Sequence, residues 1–581
     1  MTKRMIATLA LTVAAAAVAG LAGAASTPER IVFDGNVLFN NIQTGTTQLP
    51  WSAATGPCTT GVAITYSVTQ LGTSFFTHNR TNTDPKLVDP FNLTNPRWDP
   101  QLSSILNAKY ATDAVVLNTT SLDPWFEQPN YVGAIPYRFG TPAEDWTTGW
   151  TYYNTAGGFG RTDINYAKPL VTLTGPQAVS LTLSASNNYL LRGKVNMLAG
   201  TTLTIPAGTY LFGEKATTGY LVIDRGAKIF VNGTKAAPVV LTSDQDPSIG
   251  AMAAGDNGGV VIHGRAIANC ANTAGGDSCT SEGGAGFFGG GNDADNSGSI
   301  RYMRIEYSGK ELSPNNELNS LTMNAVGTGT SIEYVEAYFG SDDAFEWFGG
   351  TARCKHLVAA GQDDDGLDWQ LGYRGRVQYA VVQMHPLRGD KGIEADNSEF
   401  NFAAPNRSNP IMTNLTLIGT NPPNTGSVTP NRGIHLRRGT AGTIVNSVVL
   451  GFRGPGLDLS DPETFANCPG TAPPVFIQPA VTAVETAQTP LNHRILLAIS
   501  PNPVFREAKI VFGLPRDGRN VRAQTFDAQG RLIQTLAEGS MTQGAHTLTW
   551  TPSDRLPKGH YFFRVQADGG NATSGKLVLV R

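Results

Sequence analysis

One short pattern of small, apolar, polar and apolar residues recurs along the middle of the chain. Its central polar residues are Glu346, Asp368, Glu394, His435 and Asp458. These positions are 22, 26, 41 and 23 residues apart. A repeat slightly longer than twenty residues, in Gly-rich sequence with short apolar alternation, is typical of a solenoid whose coils stack on one another.

The alternation inside each copy predicts a β-strand, because successive side chains of a strand point to opposite faces. Phe345 and Trp347, on either side of Glu346, are therefore expected to point inward. Stacked coils lie about 4.8 Å apart. We therefore expect the five central polar residues to form one column on the outward face of the solenoid.

The regular pattern of short strands begins near Leu181 and consists of segments rich in Val, Ile and Thr, separated by Gly and Asn. Amphipathic helical stretches do not interrupt these segments, which disfavours an α/β fold. A sandwich would show hairpin turns and a cleaner two-residue alternation. The pattern therefore predicts an all-β chain with a parallel β-helix over residues 181–468.

The sequence on either side of the predicted helix has a different character. Residues 26–180 are irregular and aromatic, and we expect them to cap one end of the solenoid, because open ends need covering; exposed aromatics that stack on sugar rings are the alternative. Residues 469–494 are rich in Pro, Thr and Ala and indicate a linker. Residues 495–581 hold alternating strands and predict a small β-sandwich.

Composition restricts the function more than it defines it. Charged residues make up only 15% of the chain, and the formal net charge is −3. This balance argues against a nucleic-acid surface and against a polybasic membrane patch. Residues 1–25 combine Lys3 and Arg4 with an apolar run and small residues, which predicts a signal peptide and an exported protein without a membrane span.

The chain has 5 cysteines, too few for a disulfide framework. Cys270 and Cys279 lie in one loop and can close a small ring in an oxidising compartment, with two unpaired thiols as the alternative. Cys354 lies in a predicted strand and is interpreted as a buried thiol. The sequence indicates no partner for Cys58 or Cys468.

Several sequence phrases, which occur in order along the chain, carry a resemblance to a known family. Among them are GTTLTIPAGTYLFG, GDNGGVVIHGRA, SIEYVEAYFGSDDAFEWFGGT and DDDGLDWQLGYRGRVQYAVV. From Leu181 to Asp461 they resemble exported bacterial right-handed β-helix proteins, many of which carry a type IX secretion sorting tail. The resemblance implies a right-handed β-helix and export, and it implies no particular catalytic activity. One departure is that residues 84–150 resemble material that follows the β-helix in relatives.

The C-terminal segment carries its own resemblance. The SPNP opening, FDAQGRLI, LPKGHYFFRV and the terminal KLVLVR resemble type IX C-terminal sorting domains, and they also resemble immunoglobulin-like tails of the flagellar hook-cap type. Both resemblances imply an address or attachment module that engages secretion machinery, not a catalytic domain.

A column of like charges about 4.8 Å apart is repulsive unless something compensates it. Bound Ca²⁺ is one answer, because acidic turns precede the polar positions and Ca²⁺ takes six to eight oxygen ligands. Pairing with Lys391, Arg437 and Arg438 is a second answer, and side chains that splay into water are a third. The acidic turn residues are Asp342, Asp343, Asp364, Asp365 and Asp390.

Three functions are compatible with this sequence. Surface binding of a polysaccharide or matrix component would use the outward face, with Glu346, Asp368, Glu394, His435, Asp458, Arg437 and Arg438 as candidate ligand residues. A structural envelope or matrix role needs no ligand. A polysaccharide lyase or hydrolase would need a carboxylate pair in an open groove, but the NTD, GHG and RIK signatures of pectin hydrolases do not occur in their expected form. The sequence favours binding over catalysis.

Overall fold

A computed structural model describes most of the chain. The described residues are 31–39, 51–53, 79–81, 84–92, 96–101, 104–106, 116–137, 145–152, 164–245, 252–270, 279–313, 316–385, 387–420, 431–467, 496–500, 504, 506–514, 518–527, 531–542, 544–553, 556–567 and 573–580. The chain folds as two compact units, Met1–Pro479 and Ala480–Arg581. The predicted signal peptide and the predicted linker lie outside the described residues.

Six strands precede the regular repeat of the first unit. They are β1 (Ile31–Asp34), β2 (Val37–Phe39), β3 (Trp51–Ala53), β4 (Arg80–Thr81), β5 (Leu87–Asp89) and β6 (Arg97–Pro100).

The repeat itself supplies the following strands. They are β7 (Leu170–Gln177), β8 (Leu181–Thr182), β9 (Asn188–Met197), β10 (Thr202–Pro206), β11 (Tyr210–Gly213), β12 (Tyr220–Ile223), β13 (Lys228–Asn232), β14 (Val239–Ser243), β15 (Val260–His263), β16 (Cys279–Thr280), β17 (Phe287–Phe288), β18 (Gly298–Glu306), β19 (Lys310–Ser313), β20 (Asn316–Leu318), β21 (Leu321–Asn324), β22 (Ser331–Tyr338), β23 (Phe345–Phe348), β24 (Arg353–Ala360), β25 (Leu367–Gln370), β26 (Arg376–Gln383), β27 (Lys391–Ala395), β28 (Ile411–Ile418), β29 (Arg432–Leu436), β30 (Gly442–Val445), β31 (Val448–Leu450) and β32 (Leu457–Leu459). Helical structure in this unit's described part is limited to α1 (Pro462–Phe465) and two short 3₁₀ turns, Lys215–Thr217 and Glu282–Gly284.

These strands build the predicted right-handed parallel β-helix, a 26-stranded parallel sheet that winds around one core. Its strands stack in three rows. Row A contains β8, β10, β13, the first halves of β18, β22, β24, β26 and β28, then β30 and β1. Row B contains the first halves of β7 and β9, then β11, β14, the second halves of the long strands, β31, β2 and β4. Row C contains the second halves of β7 and β9, then β12, β15, β21, β23, β25, β27, β29, β32 and β3.

The interior is filled by alternate residues of all three rows. Phe345, Trp347, Trp369 and Tyr373 are 0% exposed and belong to this core. Cys354 is also 0% exposed, and burial raises the pKa of its thiol to about 12. It is therefore the buried thiol that the sequence predicts, while Cys58 and Cys468 lie outside the described residues.

The N-terminal segment differs from the predicted irregular cap. β1, β2 and β3 pair in parallel with β30, β31 and β32, so they form the coil that follows residue 459. The sheet also begins at Leu170, before the expected boundary at Leu181. The order of elements along the chain is therefore not their order along the solenoid, because β1, β2 and β3 come early in the sequence but stack after β30, β31 and β32.

The described residues between 84 and 152, here called the strap, return along the outside of the β-helix. Apolar strap residues such as Leu87, Trp98 and Val132 pack against outward residues of row B, including Val358 and Val381. Trp98 is 2% exposed. The aromatic residues of this segment therefore pack on the solenoid, as the sequence analysis favours, but they cover its side and not only one end.

A ladder of left-handed residues lies between rows A and B. Its rungs and their φ angles are Tyr302 (50°), Tyr334 (57°), His356 (59°), Tyr379 (62°), Asn414 (57°), Asn446 (53°) and Gly35 (64°). Positive φ costs a non-Gly residue on the order of 1–3 kcal/mol. Ring stacking compensates this cost in the aromatic half, where centroids are 4.4 Å apart for Tyr302 and Tyr334 and 4.2 Å apart for Tyr334 and His356.

The strap contacts the ladder rung by rung in reverse order. The Asn446 side chain accepts a hydrogen bond from the Leu117 N–H and donates one to the Leu117 carbonyl, each at 2.8 Å. The Asn414 amide donates to the Tyr131 carbonyl at 3.0 Å. Trp146 lies edge-on to His356 at a centroid distance of 5.0 Å. The strap and ladder therefore hold several successive coils together.

The second unit is the predicted small β-sandwich. Its strands are β33 (Leu496–Ser500), β34 (Ala508–Leu514), β35 (Gly518–Asp527), β36 (Leu532–Met541), β37 (Gly544–Trp550), β38 (Gly559–Ala567) and β39 (Thr573–Leu579). They form a 3-stranded antiparallel sheet, β33–β34–β37, and a 4-stranded one, β36–β35–β38–β39. Trp550, Phe563 and Val521 are 0% exposed within its core.

Asn446→Ala tests the strap–ladder contact. It leaves the buried N–H and carbonyl of Leu117 without their partner and places Ala at a φ of 53°. We expect a loss of about 3–5 kcal/mol in the free energy of unfolding, measured by urea denaturation. Asn401→Ala, at an exposed turn, is the control and should cost less than about 1 kcal/mol. Equal losses in both variants would contradict a special role for this rung.

His356→Tyr tests the pH dependence of the ladder. Burial lowers the pKa of His356 from 6.5 to about 4, while Glu127 opposes this shift and Lys355 and Arg301 add to it. The unfolded chain takes up this proton near pH 6.5, so the contribution of His356 is complete above that pH and is lost towards pH 4.

Tyr occupies three neighbouring rungs and does not titrate in this range, so it should preserve the stacking. Relative to the wild type, the variant should gain up to about 3 kcal/mol in unfolding free energy between pH 7 and pH 4. Parallel pH curves for the two proteins, from urea denaturation, would show that the ladder histidine does not contribute.

Candidate functional site

Row C brings the five repeated polar residues into one column. Glu346 is in register with Asp368, Asp368 with Glu394, Glu394 with His435, and His435 with Asp458. The apolar neighbours in each strand point into the core. The stacking predicted from the repeat is therefore present, and we call these five residues the polar column.

The polar column is not open to solvent, which corrects the expectation of a solvent-facing column. Glu346 is 4% exposed, and Asp368, Glu394, His435 and Asp458 are each 7–8% exposed. Side chains from turns and neighbouring strands cover it: Asn319 and Gln370 donate hydrogen bonds to Glu346. The column therefore faces away from the apolar core but is enclosed by other polar groups.

The acidic turn residues lie at the start of the row C strands, next to the polar column. The Asp365 N–H donates to Asp343 Oδ1 at 2.9 Å, and the Lys391 N–H donates to Asp365 Oδ1 at 2.6 Å. Each of these aspartates thus caps the backbone of the next coil. This accounts for the Oδ1 atom of Asp343 and of Asp365.

In the C-terminal half of the polar column, which comprises Glu394, His435 and Asp458, basic side chains neutralise the carboxylates. The Lys391 ammonium lies 2.5 Å from Glu394 Oε1 and 3.5 Å from Asp365 Oδ2, and it also contacts Asp390. Burial opposes this charge, but the three carboxylates outweigh burial and raise the pKa of Lys391. Pairing with a basic neighbour, one of the three compensations considered from the sequence, therefore holds for this half.

Three arginines complete this half of the site. Arg437 contacts Glu394 and lies 2.8 Å from Asp396 Oδ1, Arg438 lies 2.9 Å from Asp396 Oδ2, and Arg432 lies 2.7 Å from Asp458 Oδ2.

His435 is the one member of the polar column that is not a carboxylate. Its Nε2 lies 2.8 Å from Ser460 Oγ and 4.0 Å from Asp458 Oδ2. Burial, together with the charges of Arg432 and Arg437, lowers the pKa of His435 to about 3. The imidazole is therefore neutral at physiological pH and interrupts the run of negative charge.

The N-terminal half of the polar column, formed by Glu346 and Asp368 with the nearby acidic turns, has a different charge balance. Within the described part of the chain, Lys and Arg side chains form no ion pair with Asp342, Asp343, Glu346, Asp364 or Asp368. Asp368 is 7% exposed, and its Oδ1 is buried without a hydrogen-bond partner. Carboxyl groups are therefore concentrated in this half of the site, and the described residues supply no cation that pairs with them.

The pKa values of these carboxyl groups reflect their enclosure. Burial first, and then the charge of Asp364, raises the pKa of Asp342 to about 8. Burial raises the pKa of Asp364 to about 6, although Lys391 opposes this. Burial and neighbouring carboxylates also raise the pKa of Asp343, Glu346 and Asp368 well above the usual range. Without counterions, this half holds protons more tightly than ordinary carboxylates do.

Four groups of three carboxylates each bring their oxygens within 4.8 Å of one another. They are Asp342, Asp343 and Asp364; Asp343, Glu346 and Asp368; Asp364, Asp365 and Asp390; and Asp365, Asp368 and Glu394. All are drawn from the acidic turn residues and the polar column, which the sequence repeat identified.

Two further carboxylates of the site were not predicted from the sequence. Glu282 comes from a 3₁₀ turn in the insertion between β15 and β18, and burial raises its pKa to about 8, with a further contribution from Glu317. Asp396 follows β27 and receives Arg437 and Arg438. Glu282 lies outside the repeat, so periodicity gave no signal for it. Asp396 comes two residues after Glu394, where the neighbouring copies of the pattern have Gln370 and Arg437, so the pattern does not mark an acid at this position.

A disulfide joins Cys270 and Cys279, with the two Cα atoms 6.0 Å apart. These are the two cysteines that share a loop in the sequence. Phe288, Phe348 and Leu371 pack around Cys279. The disulfide therefore lies over the ends of row C strands and fixes the start of the insertion that carries Glu282.

Among the described residues, helices of the length and apolar character needed to cross a membrane are absent. Comparison with curated proteins and with solved structures found no match. The family model of the pectate-lyase-like β-helix domain matches residues 175–489, just over half of the 581-residue chain. The protein therefore belongs to the family of pectate-lyase-like β-helix domains.

Proposed function

We propose that this protein is a secreted or cell-surface β-helix that binds an acidic polysaccharide at the C-terminal half of the polar column. The observation that carries this proposal is a group of anchored arginines that still reach solvent. The side chains of Arg432, Arg437 and Arg438 are 27%, 23% and 31% exposed. Their carboxylate partners Asp396 and Asp458 are far more buried.

Anchoring makes these guanidinium groups suited to recognition. Asp396 holds both Arg437 and Arg438, so less side-chain entropy is lost when a ligand binds. A guanidinium presents a fixed fork of N–H donors that matches a carboxylate or sulfate group. Uronic acids and sulfated sugars carry such groups along a chain, and an elongated solenoid offers successive contacts to such a polymer.

Two further features support this ligand class. The family is pectate-lyase-like, which is compatible with a role related to polysaccharides. The strap covers the outward residues of row B in the coils from Tyr338 to Leu450. Row C is not covered in this way, and it carries partly exposed arginines beside buried carboxylates.

Export and surface attachment are part of the proposal. The signal-peptide pattern of residues 1–25 indicates export, and a disulfide between Cys270 and Cys279 suits an oxidising compartment. The sandwich of residues 496–580 has the strand content expected of a sorting or attachment domain. We propose that it engages secretion machinery.

A structural scaffold is the second candidate, because the polar column is enclosed and the coils are tied together by the strap. Catalysis has less support. A glycosidase needs two carboxyl groups that reach the sugar, whereas Glu346 and Asp368 are only 4% and 7% exposed.

Retention on immobilised polygalacturonate or alginate, with a neutral glucan as reference, tests the proposal. We expect the wild type to be retained on the acidic polymers and Arg438→Gln to bind about tenfold more weakly, because one charge-assisted contact is lost. Arg192→Gln is the matched control. It removes a 52% exposed arginine paired with Glu214 far along the solenoid, and it should bind like the wild type.

The same incubations separate the other functions. A correctly folded wild type that is not retained by any acidic polymer would leave the scaffold as the function. New reducing or unsaturated ends would establish an enzyme instead. Each assay is run with Ca²⁺ and with EDTA, so that retention through arginines is distinguished from retention through a bound cation.

A further inference from the structure

The four carboxylate groups fall into two pairs with different counterions. The groups that contain Asp365, with Asp390 or with Glu394, surround the Lys391 ammonium, which contacts all three residues. Lys391 is 6% exposed. In this pair, the chain supplies its own buried cation at the centre of the carboxylates.

The other two groups share Asp343 and have no such ammonium among the described residues. Asp342, Asp343 and Asp364 form one group, and Asp343, Glu346 and Asp368 form the other. Both lie one coil before the Lys391 pair, in the same turns and the same strands of row C. The two pairs are thus equivalent in position and differ in whether a cation is built in.

Asp368 gives independent evidence for a missing partner. Its side chain is only 7% exposed, and Oδ1 is buried with no hydrogen-bond partner. Burying a carboxylate without a counterion or a hydrogen bond is strongly unfavourable. By contrast, both oxygens of the adjacent Glu346 accept hydrogen bonds, from Asn319 and Gln370. Asp368 belongs to the group with Asp343 and Glu346, and it also belongs to the group with Asp365 and Glu394.

We propose that the N-terminal half of the polar column, together with its acidic turns, binds divalent cations at two positions bridged by Asp343. Ca²⁺ is the ion that fits these positions. One position uses Asp342, Asp343 and Asp364, and the other uses Asp343, Glu346 and Asp368. A cation at each position takes the place that Lys391 occupies one coil further on. Two divalent ions neutralise most of the charge of these five carboxylates.

The ligands identify the ion by their chemistry. All are carboxylate oxygens, which suit hard cations such as Ca²⁺ and Mg²⁺ rather than softer transition metals. Mg²⁺ usually keeps several water molecules in a strict octahedron, whereas Ca²⁺ accepts six to eight oxygens in flexible geometry, including bidentate carboxylates. Since the ligands Asp343, Glu346 and Asp368 are 4–7% exposed, an enclosed carboxylate-rich site favours Ca²⁺.

The experiment titrates CaCl₂ into the full chain after EDTA treatment, by calorimetry and by thermal melting, with MgCl₂ as the comparison. We expect Ca²⁺ to raise the melting temperature by about 5 °C when it is well above its dissociation constant, and EDTA to reverse the rise. Asp343→Asn keeps the oxygen that accepts the Asp365 N–H but removes the bridging charge. It should abolish the Ca²⁺-dependent rise and the calorimetric signal.

Asp390→Asn is the matched control, because Asp390 belongs to the pair of groups that Lys391 fills. It should retain the Ca²⁺ response. Asp368→Asn is a second test with a nearly isosteric side chain. Like Asp343→Asn, it should melt higher than the wild type in EDTA, because an uncompensated buried charge is gone, and it should respond less to Ca²⁺.

Two results would overturn the proposal. One is a wild type with neither calorimetric binding nor a melting shift at millimolar Ca²⁺. The other is a loss of the response in Asp390→Asn as large as that in Asp343→Asn, which would place the ion elsewhere. Because Ca²⁺ alone is titrated, the outcome is independent of polysaccharide retention, which is measured separately in EDTA.

Discussion

Hydrogen bonding between successive coils is the constraint on which the rest of this structure depends. It places each side chain about 4.8 Å from its counterparts in the coils before and after, so every position becomes a column. Apolar and aromatic columns benefit from this geometry, as the stacked rings of Tyr302, Tyr334 and His356 show. A column of carboxylates is penalised by the same geometry, and the chain must compensate each one.

The polar column shows two solutions to this problem within one row. Beyond Asp365 the chain inserts Lys391, Arg432 and Arg437 among the acids and places a neutral His435 between Glu394 and Asp458. Before Asp365 the described residues supply polar donors to Glu346 but no cation. The difference arises from single positions, since Lys391 occupies the turn site that Asp365 holds in the preceding coil.

Much of the β-helix was predictable because its signal is local and repeated. The alternation around Glu346 and Asp368 identified the strands, the inward residues and the register of the column. Its enclosure was not predictable, because the side chains of Asn319 and Ser460 cover the column through tertiary contacts that the repeat does not specify. The presence of Glu282 at the site was not predictable for the same reason, since Glu282 lies in an insertion whose position depends on tertiary contacts.

The N-terminal coil was unpredictable for a different reason. Residues Ile31–Asp34 form an ordinary apolar strand, and nothing in their sequence specifies that they pair with Gly442–Val445. That pairing depends on an edge formed more than four hundred residues later, which local patterns cannot report. The boundary at Leu170 was missed on a smaller scale, because β7 is exposed on its outer edge and has a weak apolar pattern.

The strap gives this topology a mechanical consequence. A solenoid whose coils touch only their neighbours can unfold from its ends. Here β1, β2 and β3, early in the sequence, stack beyond β30, β31 and β32. The strap then runs back along the left-handed ladder, where Leu117 contacts Asn446, Tyr131 contacts Asn414, and Trp146 contacts His356. If any one of these coils opens, its contact with the strap breaks, and the strap also contacts the neighbouring coils. The strap therefore couples coils that lie far apart in the stack, and it keeps row C, with its enclosed charges, in a register that a freely fraying solenoid would not maintain.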